Sequence, residues 1–259
     1  MRDLTVTLLQ ADLAWHDPAA NRARLGALIA GLQAPADLLV LPEMFTTGFT
    51  MDDRAPAVGP GDATLEWLAA QAAASGAVVA GSVRWAGVDG FRNRLLWMRP
   101  DGSWAHYDKR HLFRMADEQQ HYLNGTRRVV LELHGWRVCP LICYDLRFPV
   151  WSRNRGDFDL LLYVANWPAA RRAHWQALLR ARAIENQVPV VAVNRVGGDG
   201  NGIDYAGDSV VLDAHGEALV EAGAAAGAFA ATLGRAALEE YRRRFPVALD
   251  GDRFDLASD

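Results

Sequence analysis

The chain is 259 residues long, 51% apolar, carries nine tryptophans and has a formal net charge of −4. It is too hydrophobic for a disordered segment and long enough to bury a sizeable core, and its acidic balance argues against a general nucleic-acid binder. Two cysteines make neither a disulfide framework nor a four-thiolate zinc site, which points to a reducing, cytoplasmic setting.

Short runs rich in Val, Leu and Ile predict strands over Leu4–Gln10, 37–41, 77–83, 93–99 and Trp104–Asp108. The series continues over 128–133, 136–143, 159–165, 188–194 and 209–213. Leu38 to Leu41 and Leu160 to Val164 are apolar on both faces, as in sheets covered by other layers. Pro140 predicts a bulge or an edge within its strand. A first helix follows the Asp17-Pro18 capping pair, with Leu25, Leu28, Ile29 and Leu32 at helical spacing. A second covers 62–75 and stops at Gly76. A third covers 170–186, with Trp175, Leu178, Leu179 and Arg182 on one side, and ends before Pro189. A fourth spans Arg235–Arg244. The glycine-rich stretch 197–202 reads as a loop. The apolar run 6–9 is too short for a signal-peptide core. The uncharged stretch 222–233 falls short of the roughly 18–20 residues a membrane helix needs. No repeat or long linker divides the chain, so a single α/β domain over residues 1–259 is expected.

Three stretches set a reactive side chain at the end of an apolar strand, where sites assemble on a rigid frame. Leu41-Pro42-Glu43 supplies a carboxylate, Tyr107-Asp108-Lys109 an ammonium, and Ile142-Cys143-Tyr144 a thiol. Taken singly, each is ordinary. A Glu after Pro commonly caps a turn, a strand-end Lys is commonly exposed, and a Cys in an apolar run is commonly a small buried hydrophobe, as Cys139 should be. A metal site from Cys139, Cys143, His111 and His134 fits no zinc spacing, so no metal is expected.

Taken together, the three stretches resemble the nitrilase superfamily of carbon–nitrogen hydrolases, which places a Glu, a Lys and a Cys after strands in that order. Asn166-Trp167-Pro168, the segment from Arg180 to Asn186, and Asn194-Arg195-Val196-Gly197 add to the resemblance, which runs from Val6 to about Asp213. The segments from Lys109 to Glu118 and from Cys143 to Asn154 are similar to the omega-amidase branch in particular. That branch hydrolyses the terminal amide of 2-oxo acid amides such as 2-oxoglutaramate and 2-oxosuccinamate. The resemblance implies a four-layer α-β-β-α sandwich, pairing into a homodimer through outer helices, and no metal or organic cofactor. It implies Cys143 as nucleophile, Glu43 as general base, and Lys109 with the Tyr144 N–H as oxyanion donors.

This chemistry is sound for an amide: a thioester splits a difficult hydrolysis into two easier steps. Glu118 falls where many members carry a further active-site Glu, expected to position Lys109 or the substrate amide. Arg114, Arg147 and Arg195 are candidates for a substrate carboxylate, with an Asp145–Arg147 ion pair competing for Arg147. Phe45, Thr47, Phe113 and Trp167 are expected to wall the pocket, and His111 to be structural. Another superfamily amidase, acting on carbamoyl amino acids or aliphatic amides, is the near alternative. A nitrilase and a catalytically silent metabolite-binding domain are the more distant ones.

Overall fold

Alternation along the early strands builds two different packing surfaces. In the computed structural model, which describes residues 2–252, 254 and 255, the first half runs β1 (Leu4–Gln10), α1 (Pro18–Ala30), β2 (Leu38–Val40), α2 (Ala63–Ser75), β3 (Val78–Gly87), β4 (Gly90–Met98) and β5 (Trp104–Asp108). Leu39, Leu41, Val79, Leu96 and Met98 turn one way, onto Leu25 and Ile29 of α1 and Leu68 and Ala72 of α2. Leu38, Val40, Ala80, Leu95 and Trp97 turn the other way, into a larger core shared with the second half of the chain. Both helices start where a carboxylate takes an orphan N–H. Asp17 accepts from Ala20, and Asp62 accepts from Thr64.

The second half runs α3 (Glu118–His121), β6 (Leu131–Leu133), β7 (Trp136–Ile142), α4 (Pro149–Ser152), β8 (Leu160–Val164), α5 (Arg172–Asn186) and β9 (Val190–Val193). It continues through β10 (Val196–Gly198), β11 (Asp204–Ala206), β12 (Val210–Leu212), β13 (Ala218–Glu221), β14 (Gly227–Leu233) and α6 (Arg235–Arg244). Two six-stranded sheets result, ordered β14-β1-β2-β3-β4-β5 and β13-β12-β9-β8-β7-β6. They pack face to face. α1 and α2 cover the first sheet, while Trp175, Leu179 and Ala183 of α5 and Leu238 of α6 join the core of the second. This is the expected four-layer α-β-β-α sandwich. Among the described residues, no helix is long and apolar enough to cross a membrane.

Four expectations need adjustment. Of the two alternatives for Pro140, the edge holds and the bulge does not, because it stays in register with Leu162 of β8. β6 pairs only as far as Val138, so the missing N–H of Pro140 falls where no second neighbour is present. Stretch 197–202 is not loop throughout, since β10 and β11 form an antiparallel hairpin around it. β13 and β14 were not expected as strands. The sequence of β14, Gly-Ala-Phe-Ala-Ala-Thr-Leu, is built mostly of poor strand formers, and its pairing along the whole of β1 overrides that local preference. The third helix begins later than expected, after a 3-10 turn over Ala169–Arg171.

Candidate active site

Each reactive side chain leaves its strand through a distinctive turn. After β2, Glu43 is followed by Met44 in the left-handed region, at φ +42°. After β5, the Lys109 N–H donates to the Asn93 carbonyl at 3.0 Å, so the first sheet still holds the residue as the chain turns away. After β7, Cys143 itself has φ +42° and opens a 3-10 turn over Cys143–Arg147. A β-carbon in that region is strained, and such strain persists only where surrounding bonds enforce it. Asp145 enforces it here. One of its oxygens accepts from the Tyr107 hydroxyl at 2.8 Å and the Ile142 N–H at 3.0 Å. The other accepts from the His111 N–H at 3.0 Å and meets His111 Nδ1 at 2.8 Å.

The carboxylate and ammonium come from one sheet and the thiol from the other. They meet as a buried cluster. Lys109 Nζ donates to Glu43 Oε1 at 3.0 Å and to both oxygens of Glu118, at 3.0 and 2.9 Å. Glu43 Oε2 accepts the Asn166 N–H at 2.7 Å, and Glu118 Oε2 accepts the Phe113 N–H at 2.6 Å. The Cys143 thiol donates to the Asn166 carbonyl at 3.9 Å. Glu43, Lys109 and Glu118 are all essentially inaccessible to solvent. Burial disfavours the Lys109 charge, but the Glu118 and Glu43 carboxylates outweigh that and hold the ammonium above its ordinary range. Burial pushes the Glu118 carboxyl up, with Lys109 opposing. Burial and then the Glu43 carboxylate push the Cys143 thiol well above its usual value, with Lys109 only partly offsetting them. Both influences favour the thiol over the thiolate at the resting sulfur.

Cys143 is partly exposed at a cavity of about 480 Å³. Glu43, Lys109, Tyr144, Asn166 and Trp167 line its reactive end, with Phe49, Phe113, Trp15, His16 and Tyr205 among the other walls. Two further cations, Arg147 and Arg171, reach it as well. Arg147 lies 4.8 Å over the Trp167 ring and meets His174 Nδ1 at 3.0 Å. Arg171 lies 5.4 Å over the Phe113 ring. Among the described residues, no group of three or more His, Cys, Asp or Glu side chains could hold a metal ion. Cys139 is fully buried in β7, where burial pushes its thiol up to about 12.

A family model described as carbon-nitrogen hydrolase matches residues 5–243. The chain belongs to the carbon–nitrogen hydrolase family. It is 51% identical over 257 residues to "Omega-amidase YafV" of Escherichia coli, covering 99% of this chain and 100% of that one. It is 35% identical to the "2-oxoglutaramate amidase" of Bacillus subtilis, over 97% of this chain and 98% of the relative. Among solved structures, a CN-hydrolase superfamily protein of Xanthomonas campestris with an arsenic adduct in its active site superposes with a TM-score of 0.97. That match is 49% identical and covers 99% of this chain and 100% of the other.

In this carbon–nitrogen hydrolase, several residues expected around the substrate lie elsewhere. Phe45 is fully buried on the far face of the first sheet, its ring 5.9 Å from that of Trp67 in α2. Thr47 is also buried, and its hydroxyl is spent on the Gly48 carbonyl at 2.9 Å. Arg114 is exposed on a 3-10 turn and does not reach the cavity. Arg195 is wholly buried behind the wall. It donates to Asp12, to the Leu13, Val196 and Gly198 carbonyls, and stacks 4.7 Å from the Tyr205 ring. The Asp145–Arg147 ion pair is absent, because Asp145 is occupied by Tyr107, His111 and Ile142. Phe113, Tyr144, Arg147 and Trp167 do line the cavity, and Glu118 stands behind Lys109. Arg171 and Phe49, and Asn166 as a residue of the site rather than of a motif, were not singled out by the sequence. Asn166 had a signal, since it lies within the Asn-Trp-Pro stretch that carries part of the family resemblance.

Proposed function

We infer that this carbon–nitrogen hydrolase is an omega-amidase, hydrolysing the terminal amide of a 2-oxo dicarboxylic acid monoamide to the free diacid and ammonia. The observation that carries the reading is one cavity holding a thiol–carboxylate–ammonium cluster together with two additional guanidinium groups. Full-length similarity to proteins named omega-amidase and 2-oxoglutaramate amidase supports it.

As Cys143 sulfur attacks the amide carbon, Glu43 takes the thiol proton, so the low-dielectric site never hosts a free thiolate beside two carboxylates. Lys109 and the Tyr144 N–H stabilise the developing oxyanion. Glu118 positions Lys109 through two hydrogen bonds. Glu43 then delivers its proton to the nitrogen as the C–N bond breaks, releasing ammonia and leaving a thioester. A water takes the place of ammonia, gives its proton to Glu43 and attacks the thioester. Collapse expels the Cys143 sulfur, which recovers the proton. The substrate carboxylate pairs with Arg171 and Arg147. Arg171 suits this role because its guanidinium has a ring beneath it but no carboxylate partner among the described residues.

Ammonia release from a panel of amides tests the assignment. 2-Oxoglutaramate and 2-oxosuccinamate are expected to be turned over in preference to propionamide and to carbamoyl amino acids. Arg171→Met should raise KM for the 2-oxo acid amides about 10–100-fold, the weight of a charge-assisted hydrogen bond, with kcat little changed. Preference for propionamide or for carbamoyl amino acids, or an unmoved KM, overturns it. The same reading takes residues 1–259 as one hydrolase domain acting as a cytoplasmic homodimer. Light scattering is expected to return twice the 28.4 kDa chain mass. A monomer at assay concentration contradicts the pairing.

A further inference from the structure

Asn93, in the middle of β4, is fully buried and takes no part in the chemistry described so far. Its side-chain N–H₂ donates to Glu43 Oε1 at 2.7 Å and, more distantly, to Glu118 Oε1 at 3.4 Å. Its side-chain oxygen accepts from the Ser82 hydroxyl at 2.8 Å, and that hydroxyl in turn accepts the Met44 N–H at 2.9 Å. The direction of this chain is fixed. The carboxylate oxygens accept, so the Asn93 N–H₂ faces them, its oxygen is left facing Ser82, and the Ser82 hydroxyl donates to that oxygen while accepting the Met44 N–H. The Asn93 backbone carbonyl also receives the Lys109 N–H. One residue therefore touches Glu43, Glu118 and Lys109. Through Ser82, it also anchors the left-handed turn immediately after Glu43.

Donor counting shows what this contact supplies. The Lys109 ammonium has three hydrogens, and all three are committed, one to Glu43 and two to Glu118. Turning one toward an oxyanion leaves a carboxylate oxygen short of a donor at the moment when Glu43 must be correctly aimed. Among the described residues, only the Asn93 amide reaches both carboxylates from another direction.

We propose that Asn93, oriented by Ser82, is a positioning residue for the general base. It holds Glu43 against the thiol and stands in for Lys109 while that ammonium serves the reacting carbonyl. The proposal rests on the cysteine-amidase reading above. The titratable groups facing Glu43 are Lys109 at the exit of β5, Glu118 of α3, Cys143 at the exit of β7 and the Tyr205 phenol of β11. Their titration is shared, so a pH profile reports the cluster as a whole.

Asn93→Leu, close in size but without donors, and Ser82→Ala, which unfixes the amide and also removes the acceptor of the Met44 N–H, make the test. Two readouts are taken across pH, namely kcat/KM for 2-oxoglutaramate and the rate of Cys143 alkylation by iodoacetamide. Loss of a donor that favours the charged carboxylates should move the acid limb of both curves to higher pH. For Asn93→Leu, kcat should fall about 10–100-fold with KM little changed. Ser82→Ala should shift the limb the same way by less. The proposal is overturned if both variants give curves that superimpose on wild type in pH, with any rate loss tracking only the folded fraction. Should the wild-type enzyme ignore 2-oxo acid amides, the substrate reading fails, while the alkylation curves still decide the role of Asn93.

Discussion

Glu43→Gln is expected to lower kcat by about 10²–10⁴-fold, the contribution of a well-placed general base, and to slow Cys143 alkylation in parallel. Two effects combine. The amide cannot accept the thiol proton, and the thiol, already held protonated by burial and by Glu43, has no other base beside it. The amide also fits the pocket badly. Glu43 Oε1 faces donors from Asn93 and Lys109, and Oε2 faces the Asn166 N–H. Whichever way Gln turns, its N–H₂ meets a donor, at a cost of about 1–3 kcal/mol in stability. Activity must therefore be normalised to folded protein by active-site titration. Steady-state ammonia release and iodoacetamide kinetics check the result. An enzyme with kcat within a few-fold of wild type and unchanged alkylation would remove Glu43 from proton transfer. Cys143→Ala gives the floor against which the residual rate is read. Labelling of Cys139 instead of Cys143 is not expected, since Cys139 has no exposed surface.

The three reactive residues were legible as side chains at strand ends, where a layered sheet presents such groups, but that pattern is ordinary for each alone. Their order along the chain, which resembles the nitrilase superfamily, is what singled them out. Most of the strands were legible because two-faced apolar runs such as Leu160 to Val164 carry their own burial signal. What the sequence concealed depends on contacts between distant segments. Asn93 sits among Arg92 and Arg94 in a strand that reads as ordinary, and only the fold brings it against Glu43 and Glu118. The arginines make the same point. Arg195, Arg114 and Arg171 look equivalent as letters. The first is consumed by Asp12 and three carbonyls, the second stands on an exposed turn, and only the third reaches the cavity. Phe45 and Phe49 are separated by one helical turn's worth of sequence, yet the left-handed residue at Met44 sends the first to the α2 side and leaves the second 5.0 Å from the Lys109 ammonium. β14 escaped notice because pairing along the whole of β1, rather than local strand preference, defines it.

Asp145→Ala should be the most damaging substitution outside the reacting groups, with a loss of about 3–5 kcal/mol, in the range for removing one member of a buried charged network. The carboxylate is fully buried, and its two oxygens collect the Tyr107 hydroxyl, the Ile142 and His111 N–H groups and the His111 ring. Deleting it strands these groups in an interior where water cannot replace it. The Tyr107 hydroxyl also accepts from Trp151 Nε1 at 3.0 Å, so the damage extends to the turn that carries α4. Function should suffer beyond stability. Ile142 immediately precedes the strained Cys143, and without an acceptor for its N–H the 3-10 turn has less to enforce φ +42° there. Relaxing that residue would move both the sulfur and the Tyr144 N–H. Urea unfolding followed by tryptophan fluorescence is the measurement, with a lower midpoint and an unchanged slope expected. Alkylation of Cys143 in the still-folded fraction is the companion readout, and its rate should fall as well. Asp145→Asn keeps the shape but turns an N–H₂ toward two donors, so it should recover only part of the loss. An unfolding free energy within about 1 kcal/mol of wild type for the alanine variant would show that this carboxylate does not hold the nucleophile turn.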